Sequence, residues 1–311
     1  MVCLLTSHKT MKTSKLIIKA CAVIAYAFLL MMHFIVKDHF QFLQIFFYAF
    51  PLPILIFLGC VITLLFYKTR TYFIAGLVII LGLTAYWFSS SYNFVRHTDI
   101  PEDATTVLFW NAADGYELPV NVIVERISII KPDVIGLVET QYASENDLEL
   151  LSTTFPSYEF RILGGFMMVG VKGSITKVNY LMENASYHVN FIEAQLPSGA
   201  ISFAVTDIFQ SPTMDKKKAI GTVLKLASQR NTDIIVGDFN APRESVHFKA
   251  FEKNYTSFSN YGQGFTATWP FEIPLLELDQ IFARKPMTPI LLQKFNYPES
   301  DHAMLIGYYK E

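Results

Sequence analysis

Cysteine is nearly absent: the 311-residue chain has three, Cys3, Cys21 and Cys60, and none beyond. That excludes a disulfide framework, a thiolate zinc site or a cysteine nucleophile in everything that follows. Acid is scarce at the same end. Through Arg96 there is a single carboxylate, Asp38, against eight Lys or Arg. The remainder holds 17 basic and 26 acidic residues, a formal balance of −9 in a chain whose total is −2. No internal repeat, low-complexity tract or nucleophile elbow is present, so Ser300-Asp301-His302 does not read as a serine-hydrolase triad. A basic apolar beginning and an acidic continuation read as a membrane anchor followed by one water-soluble domain.

The anchor is expected over residues 1–95. Three apolar runs, about 16–36, 45–67 and 72–88, each approach the roughly 20 residues that cross a bilayer core of about 30 Å. A signal peptide accounts for the first run only, and no small-residue cleavage site follows it. Lys9, Lys12, Lys15 and Lys19 precede the first run, and Lys68 and Arg70 lie between the second and third. The tendency of basic loops to stay inside puts those segments in the cytoplasm. Three spans then place the domain outside it, with Arg96 the one contrary charge. Residues 96–104 read as a tether and 105–311 as the domain.

Beyond Thr105 apolar strands alternate with amphipathic helices. Strands are expected at 106–110, 134–138, 166–171, 189–195, 201–206, 233–236, 276–282 and 303–308, with helices over 118–130 and 216–229. Many strands and few helices point to a layered α/β sandwich. Polar residues recur where strands end: Asn111, Glu139, Asp238 with Asn240, Asp279, and Asp301 with His302. Each alone reads as a turn former or surface group. A carboxylate inside the apolar 278–282 run, Asp279, needs a partner, and His302 is one candidate.

The order of the set is more telling. FWN (109–111), DVIGLVET (133–140), IVGDFNAP (235–242), TWP (268–270) followed by LLELDQIF (275–282), and SDH (300–302) resemble the endonuclease/exonuclease/phosphatase superfamily over roughly residues 105–311. The TWP stretch also resembles its membrane-anchored bacterial branch, which includes the teicoplanin-resistance protein VanJ. The resemblance implies a four-layered, DNase I-like α/β sandwich and a phosphoesterase dependent on Mg²⁺ or Mn²⁺. By the same resemblance Glu139, helped by Asn111 and with Asp301 nearby, holds the metal. Asp238 activates water, Asn240 aligns water and phosphoryl oxygen, His302 donates to the phosphate, and Asp279 fixes the His302 ring. A hard cation prefers such oxygen ligands.

Three positions depart from the family pattern. Asp207 stands where a phosphate-contacting histidine is usual. Gly170-Val171-Lys172 replaces a Ser-Arg, with Lys172 as a substitute cation, and Gln280 replaces a histidine. His188 and His247 match no motif and read as structural or surface residues. Lys216, Lys217 and Lys218 read as a solvated helix face, or as a lipid-headgroup contact. The sequons at Asn184 and Asn254 matter only in a eukaryotic secretory pathway. The expected activity is hydrolysis of a lipid-linked or small phosphoester or pyrophosphate at a membrane, with membrane lipids as partners and no protein partner indicated. A nuclease is the alternative within the superfamily, but a domain at −9 lacks the basic stripe that nucleic acid requires. A catalytically degenerate interaction module is the alternative from another class.

Overall fold

The computed structural model describes residues 2–94, 98–112 and 117–310, with 2–13 as backbone. The chain divides into two compact units, Met1–Ser91 and Tyr92–Glu311. The expected anchor boundary at 95/96, the first tether residues and Arg96 fall outside the described residues. The second unit takes up the chain at Tyr92, earlier than the expected start at 105.

The first unit is helical: α1 (Val2–Met31) running into a wide turn at Met32–Val36, α2 (Gln44–Ala49), α3 (Leu52–Leu64) and α4 (Arg70–Ser91). Two stretches, Ser14–Val36 with 23 residues and Arg70–Ser91 with 22, are long and apolar enough to cross a membrane. The expected span over 45–67 is not one helix. Pro51 has no N–H to continue α2, and Phe50 before it leaves the helical region, at φ −123° and ψ 66°. The 13 residues of α3 rise only about 20 Å, short of a bilayer core of about 30 Å. The α3 helix packs closely on α1: a Cβ on Gly59 would lie 2.5 Å from the Tyr26 hydroxyl.

The second unit opens with a small pair, β1 (Tyr92–Asn93) against β11 (Gly264–Phe265). Its body is two mixed six-stranded sheets. Sheet one runs β13 (Thr288–Phe295), β14 (Met304–Lys310), β2 (Thr105–Asn111), β3 (Val134–Val138), β5 (Met167–Lys172), β4 (Tyr158–Leu163). Sheet two runs β10 (Tyr255–Ser257), β12 (Asp279–Arg284), β9 (Ile234–Asp238), β8 (Gly199–Ile208), β7 (Tyr187–Leu196), β6 (Ser174–Glu183). Each sheet has one parallel pair at its centre, β2–β3 and β8–β9. Parallel neighbours need a crossover, and these use α5 (Val120–Ile130) and α7 (Lys216–Gln229). The same clamp starts the second strand of both pairs: Asp133 accepts from the Thr106 N–H and Asp233 from the Ser202 N–H, each at 2.9 Å.

The inner faces share one core, with Phe109, Val134 and Val138 from sheet one against Phe203, Val205 and Val236 from sheet two. Outside sheet one, α5 and α6 (Glu145–Thr154) bury Ile123, Ile127 and Leu151 against Leu108 and Trp110. Outside sheet two, α7 packs on β7 and β8 through Ala219, Ile220, Val223 and Ala227. This is the expected α/β sandwich, helices on both sides of two facing sheets.

The sheets approach closely at Gly136 of β3. A Cβ there would sit 2.9 Å from a methyl of Val205 and 2.9 Å from one of Val236. Only a residue without a side chain lets β3 lie against β8 and β9 at this point. Replacing Gly136 by valine is expected to cost about 1–3 kcal/mol through overpacking, read as a lower urea midpoint. An unchanged midpoint would contradict the close approach.

Candidate active site

Three aspartates lie on one rung of sheet two. Register sets Asp207 of β8 beside Asp238 of β9, and Asp238 opposite Asp279 of β12. Side chains alternate along a strand, so each aspartate faces inward with the core residue two positions away, Val205, Val236 and Ile281. At this end of the sandwich the apolar core gives way to carboxylates.

Sheet one supplies the other half. Asn111 ends β2 beside Val138, and Glu139 follows β3. The Asn111 amide donates to Glu139 Oε1 at 2.9 Å and to Asp238 Oδ2 at 3.0 Å, tying the sheets together. His302, just before β14, places Nδ1 2.8 Å from Asp279 Oδ2 and Nε2 3.8 Å from Asp238 Oδ2. Glu139, Asp207 and Asp238 each offer an oxygen within 4.8 Å of the others, and Asp238, Asp279 and His302 form a second such group. Glu139 and Asn240 hold left-handed backbones, φ +55° and +47°. Such conformations concentrate at functional sites because they cost energy elsewhere avoided.

Loops brace this arrangement. The Asn240 N–H donates to Asp238 Oδ1 at 2.8 Å, and its side-chain amide to the Ile208 carbonyl at 2.9 Å. Thr268 Oγ1 accepts from the N–H groups of Leu278 and Asp279. Trp269 Nε1 donates to Asp301 Oδ2 at 2.7 Å, and Trp110 Nε1 to the His302 carbonyl at 2.9 Å. Ser300 Oγ binds the Asn111 carbonyl and receives the His302 N–H. Asp301 approaches His302 Nε2 only to 3.9 Å and belongs to neither carboxylate group.

Crowding of like charge governs the protonation. Burial, then Asp279, push Asp238 up to about 7, against His302, the Asn240 N–H and the Asn111 amide. Burial, then Asp238 and Glu139, raise Asp207 well above the ordinary carboxylate range. Burial works against an imidazolium at His302, but Asp279, then Asp238 and Asp301, outweigh it and raise its pKa to about 10.

The residue that sequence reasoning misplaced is Lys216. It is fully buried, not solvated. Asp215 caps α7 by accepting from the Lys218 N–H, so Lys216 is the first helical residue. A cation there opposes the helix dipole. It is held by the Phe209 carbonyl at 2.5 Å and by the fields of Asp238 and Asp207. Burial still lowers it to about 8. The signal was available: Lys216 continues inward the stripe of Ile220, Val223 and Ala227 at helical spacing.

The expectation for Lys172 is also revised. Lys172 pairs with Tyr158, and its N–H binds the Asp133 carbonyl at the start of β3, the end remote from Glu139. It cannot supply the site's cation. Gln280 lies on the opposite face of β12 from Asp279 and meets Ser259 at 3.1 Å. His188 accepts or donates to the Tyr180 hydroxyl at 2.6 Å, beside Asp207 in the register.

Residues 108–302 match the Endonuclease/Exonuclease/phosphatase family. The chain belongs to that family. No curated protein matches it in sequence. Among solved structures, D. rerio TDP2 humanized by 14 mutations is 14% identical, with TM-score 0.55 over 67% of this chain and 99% of that one. A mannosyl-6-phosphatase of Bacteroides thetaiotaomicron is also 14% identical, with TM-score 0.55 over 67% of this chain and 100% of its own. The human Nocturnin catalytic domain is 16% identical, with TM-score 0.52 over 69% and 97%. At such identities the likeness shows the fold. At the end of β8 the site holds an aspartate, Asp207, with the buried Lys216 nearby.

The donor set suits a hard cation: Glu139, Asp207 and Asp238 offer oxygens only, and Asp279 Oδ1 is buried with no hydrogen-bond partner among the described residues. The pair His302–Asp279 has its own pH signature. Because the folded pKa lies above the ordinary 6.5, its stabilisation is full below about 6.5 and lost as pH rises through about 10. In metal-free protein the stability gap between wild type and His302→Gln is expected to shrink over that window, followed by urea midpoints. A gap that widens with pH would refute the assignment.

Proposed function

We propose that the chain is a divalent-metal-dependent phosphoester hydrolase of a membrane surface, acting on a lipid-linked or small phosphoester or pyrophosphate. The observation that carries this is the rung Asp207–Asp238–Asp279 of one sheet facing Asn111, Glu139 and His302 of the other. Glu139, with Asp207 and Asp238, would hold Mg²⁺ or Mn²⁺, with Asp301 at the edge. When bound, the ion supplies Lewis acidity toward a phosphoryl oxygen and favours the ionised forms of the carboxylates around it.

The chain's own groups then divide the work. Asp238, oriented by the Asn111 amide and the Asn240 N–H, accepts a proton from the attacking water. Oxygen bonds to phosphorus as the bond to the leaving oxygen breaks, and the departing alkoxide takes a proton from solvent, to which Asp238 later returns its own. His302 carries a proton on Nε2, because Asp279 holds Nδ1 and favours the imidazolium, and donates it toward the phosphoryl oxygens where charge develops. Lys216 offsets Asp207, which otherwise repels an anionic substrate. Asn240 aligns water and phosphoryl oxygen.

The apolar stretches Ser14–Val36 and Arg70–Ser91 support a membrane location. A headgroup presented on the same membrane has a high effective concentration for a tethered enzyme. The formal balance of −9 after Arg96 disfavours nucleic acid. The Thr268–Pro270 stretch, through which Trp269 braces Asp301, supports kinship with the membrane-anchored, VanJ-like branch. Lys9 and Lys12 ahead of the apolar Ser14–Val36 stretch, and Lys68 ahead of α4, favour a cytoplasmic start for both stretches. From a cytoplasmic start of α4, the second unit then faces outward.

With purified full-length protein and a generic phosphodiester, Asp238→Asn and His302→Gln should each lower kcat by about 10²–10⁴-fold. Chelation should abolish activity and Mg²⁺ or Mn²⁺ restore it. Wild-type activity equal to that of both variants, on phosphodiester, pyrophosphate and DNA alike, would sink the enzyme reading and leave a non-catalytic module. For topology, a Lys310→Cys variant with the native cysteines replaced should react with an impermeant maleimide in intact cells. Reaction only after lysis contradicts an outward-facing domain.

A further inference from the structure

Several exposed groups near the site are large and apolar. Phe166 is 64% exposed, Phe209 45%, Phe271 47% and Ile273 54%. Phe166, Phe209 and Phe271 are linked to a site residue through the backbone. The Phe166 carbonyl accepts from the N–H of Thr140, the residue after Glu139. Phe209 lies two residues beyond Asp207. The Phe271 N–H binds the Asp301 carbonyl, and Ile273 follows. On sheet two the rung continues outward from Asp207 to His188 and then Met182. Met182 is also exposed, about 15 Å from Asp238 at the usual strand spacing.

Scattered exposed apolar residues are ordinary, but a cluster around one polar centre marks an interaction surface. Two of these residues occupy costly backbone positions as well. Phe166 has φ +57° and Phe271 φ +50°, a region where a bulky side chain is an outlier and glycine or asparagine fits with ease. The fold thus tolerates backbone strain while presenting phenylalanine to solvent, which packing within the domain does not explain.

We propose that this apolar collar around the Glu139–Asp238–His302 mouth seats in the surface of a lipid bilayer, so that the site takes its phosphoester headgroup directly from the membrane. This rests on the phosphoesterase reading and deepens it to a lipid substrate. Two observations choose a bilayer over another occupant. The second unit begins at Tyr92, the residue after α4, whose 22 residues are long and apolar enough to cross a membrane. Chain continuity therefore keeps the collar within reach of any bilayer that α4 crosses. The domain's formal balance of −9 opposes attraction to anionic lipid, so the attachment is carried by apolar side chains and is insensitive to salt.

The test uses full-length protein in phosphatidylcholine vesicles, with Cys3, Cys21 and Cys60 replaced by serine. Single cysteines at Phe209, Phe271 and, as a control on α5, the exposed Ile129 carry an environment-sensitive fluorophore. Blue-shifted emission, quenched by nitroxide-labelled lipid, is expected at 209 and 271 and not at 129, unchanged in high salt. Water-like emission at 209 and 271 overturns the proposal. So does a blue shift that nitroxide lipid does not quench, which assigns the collar to a protein partner or a second copy of the chain.

A second arm reads function. The Phe209→Ser/Phe271→Ser double variant should lose about tenfold or more of its activity on a phospholipid in the vesicle. It should keep its rate on a water-soluble phosphodiester within about twofold, the range of an unperturbed site. Equal losses on both substrates count against the collar. If wild type hydrolyses neither substrate, the phosphoesterase reading fails, while the fluorophore result still decides the docking.

Discussion

The close approach of the two sheets at Gly136 is the constraint on which the site depends. Glu139 lies three residues beyond that point, and Asp207 and Asp238 lie two beyond the valines that Gly136 faces. Facing sheets ordinarily pack about 10 Å apart, a gap that carboxylates on both must reach across to share an ion. Removing one side chain at the crossing draws β3 toward β8 and β9 and brings oxygens from both within 4.8 Å of one another. The Asn111 amide, bonded to a carboxylate on each side, fixes the spacing that Gly136 allows.

Having assembled three carboxylates, the fold must manage their repulsion. It does so with His302 and Lys216, one from each sheet's neighbourhood. His302 is pinned between Asp279 and Asp238, while Lys216 reaches in from the start of α7. A buried ammonium at a helix start is unfavourable by burial and by the dipole alike. Asp238, then Asp207, favour its charged form against that burial. Asp207 and the lysine that α7 turns inward form one electrostatic unit.

Much of this was legible in the sequence, and the failures have physical causes. The strand at 134–138 and the helix at 216–229 carry such regular apolar spacing that their limits match the structure. Singly, Glu139, Asp238 and His302 read as turn formers or surface groups; the order of the motifs around them, which resembles the superfamily, singled them out together with Asp279. Strand β6 escaped because it alternates exposed and half-buried residues at a sheet edge, a pattern that polar loops imitate. Helix α6 had a readable start in the capping box of Ser144 and Asp147 but a weak apolar stripe. Lys216 was misread because charge suggested solvent while periodicity pointed inward. Lys172 was misread because adjacency in sequence says nothing about which end of a strand faces the site. The 45–67 run was misread because hydropathy does not register the missing N–H of Pro51.

The division of ligands between the sheets also changes what the ion would be to this protein. An ion gripped by Glu139 on one sheet and Asp238 on the other is a clasp across the hydrophobic interface, and opening the sandwich would release it. Binding free energy for the ion would then add to the work of separating the sheets. The free divalent cation of the surrounding compartment would set how long the domain survives as well as how fast it turns over. Depletion would silence the enzyme and loosen its core together.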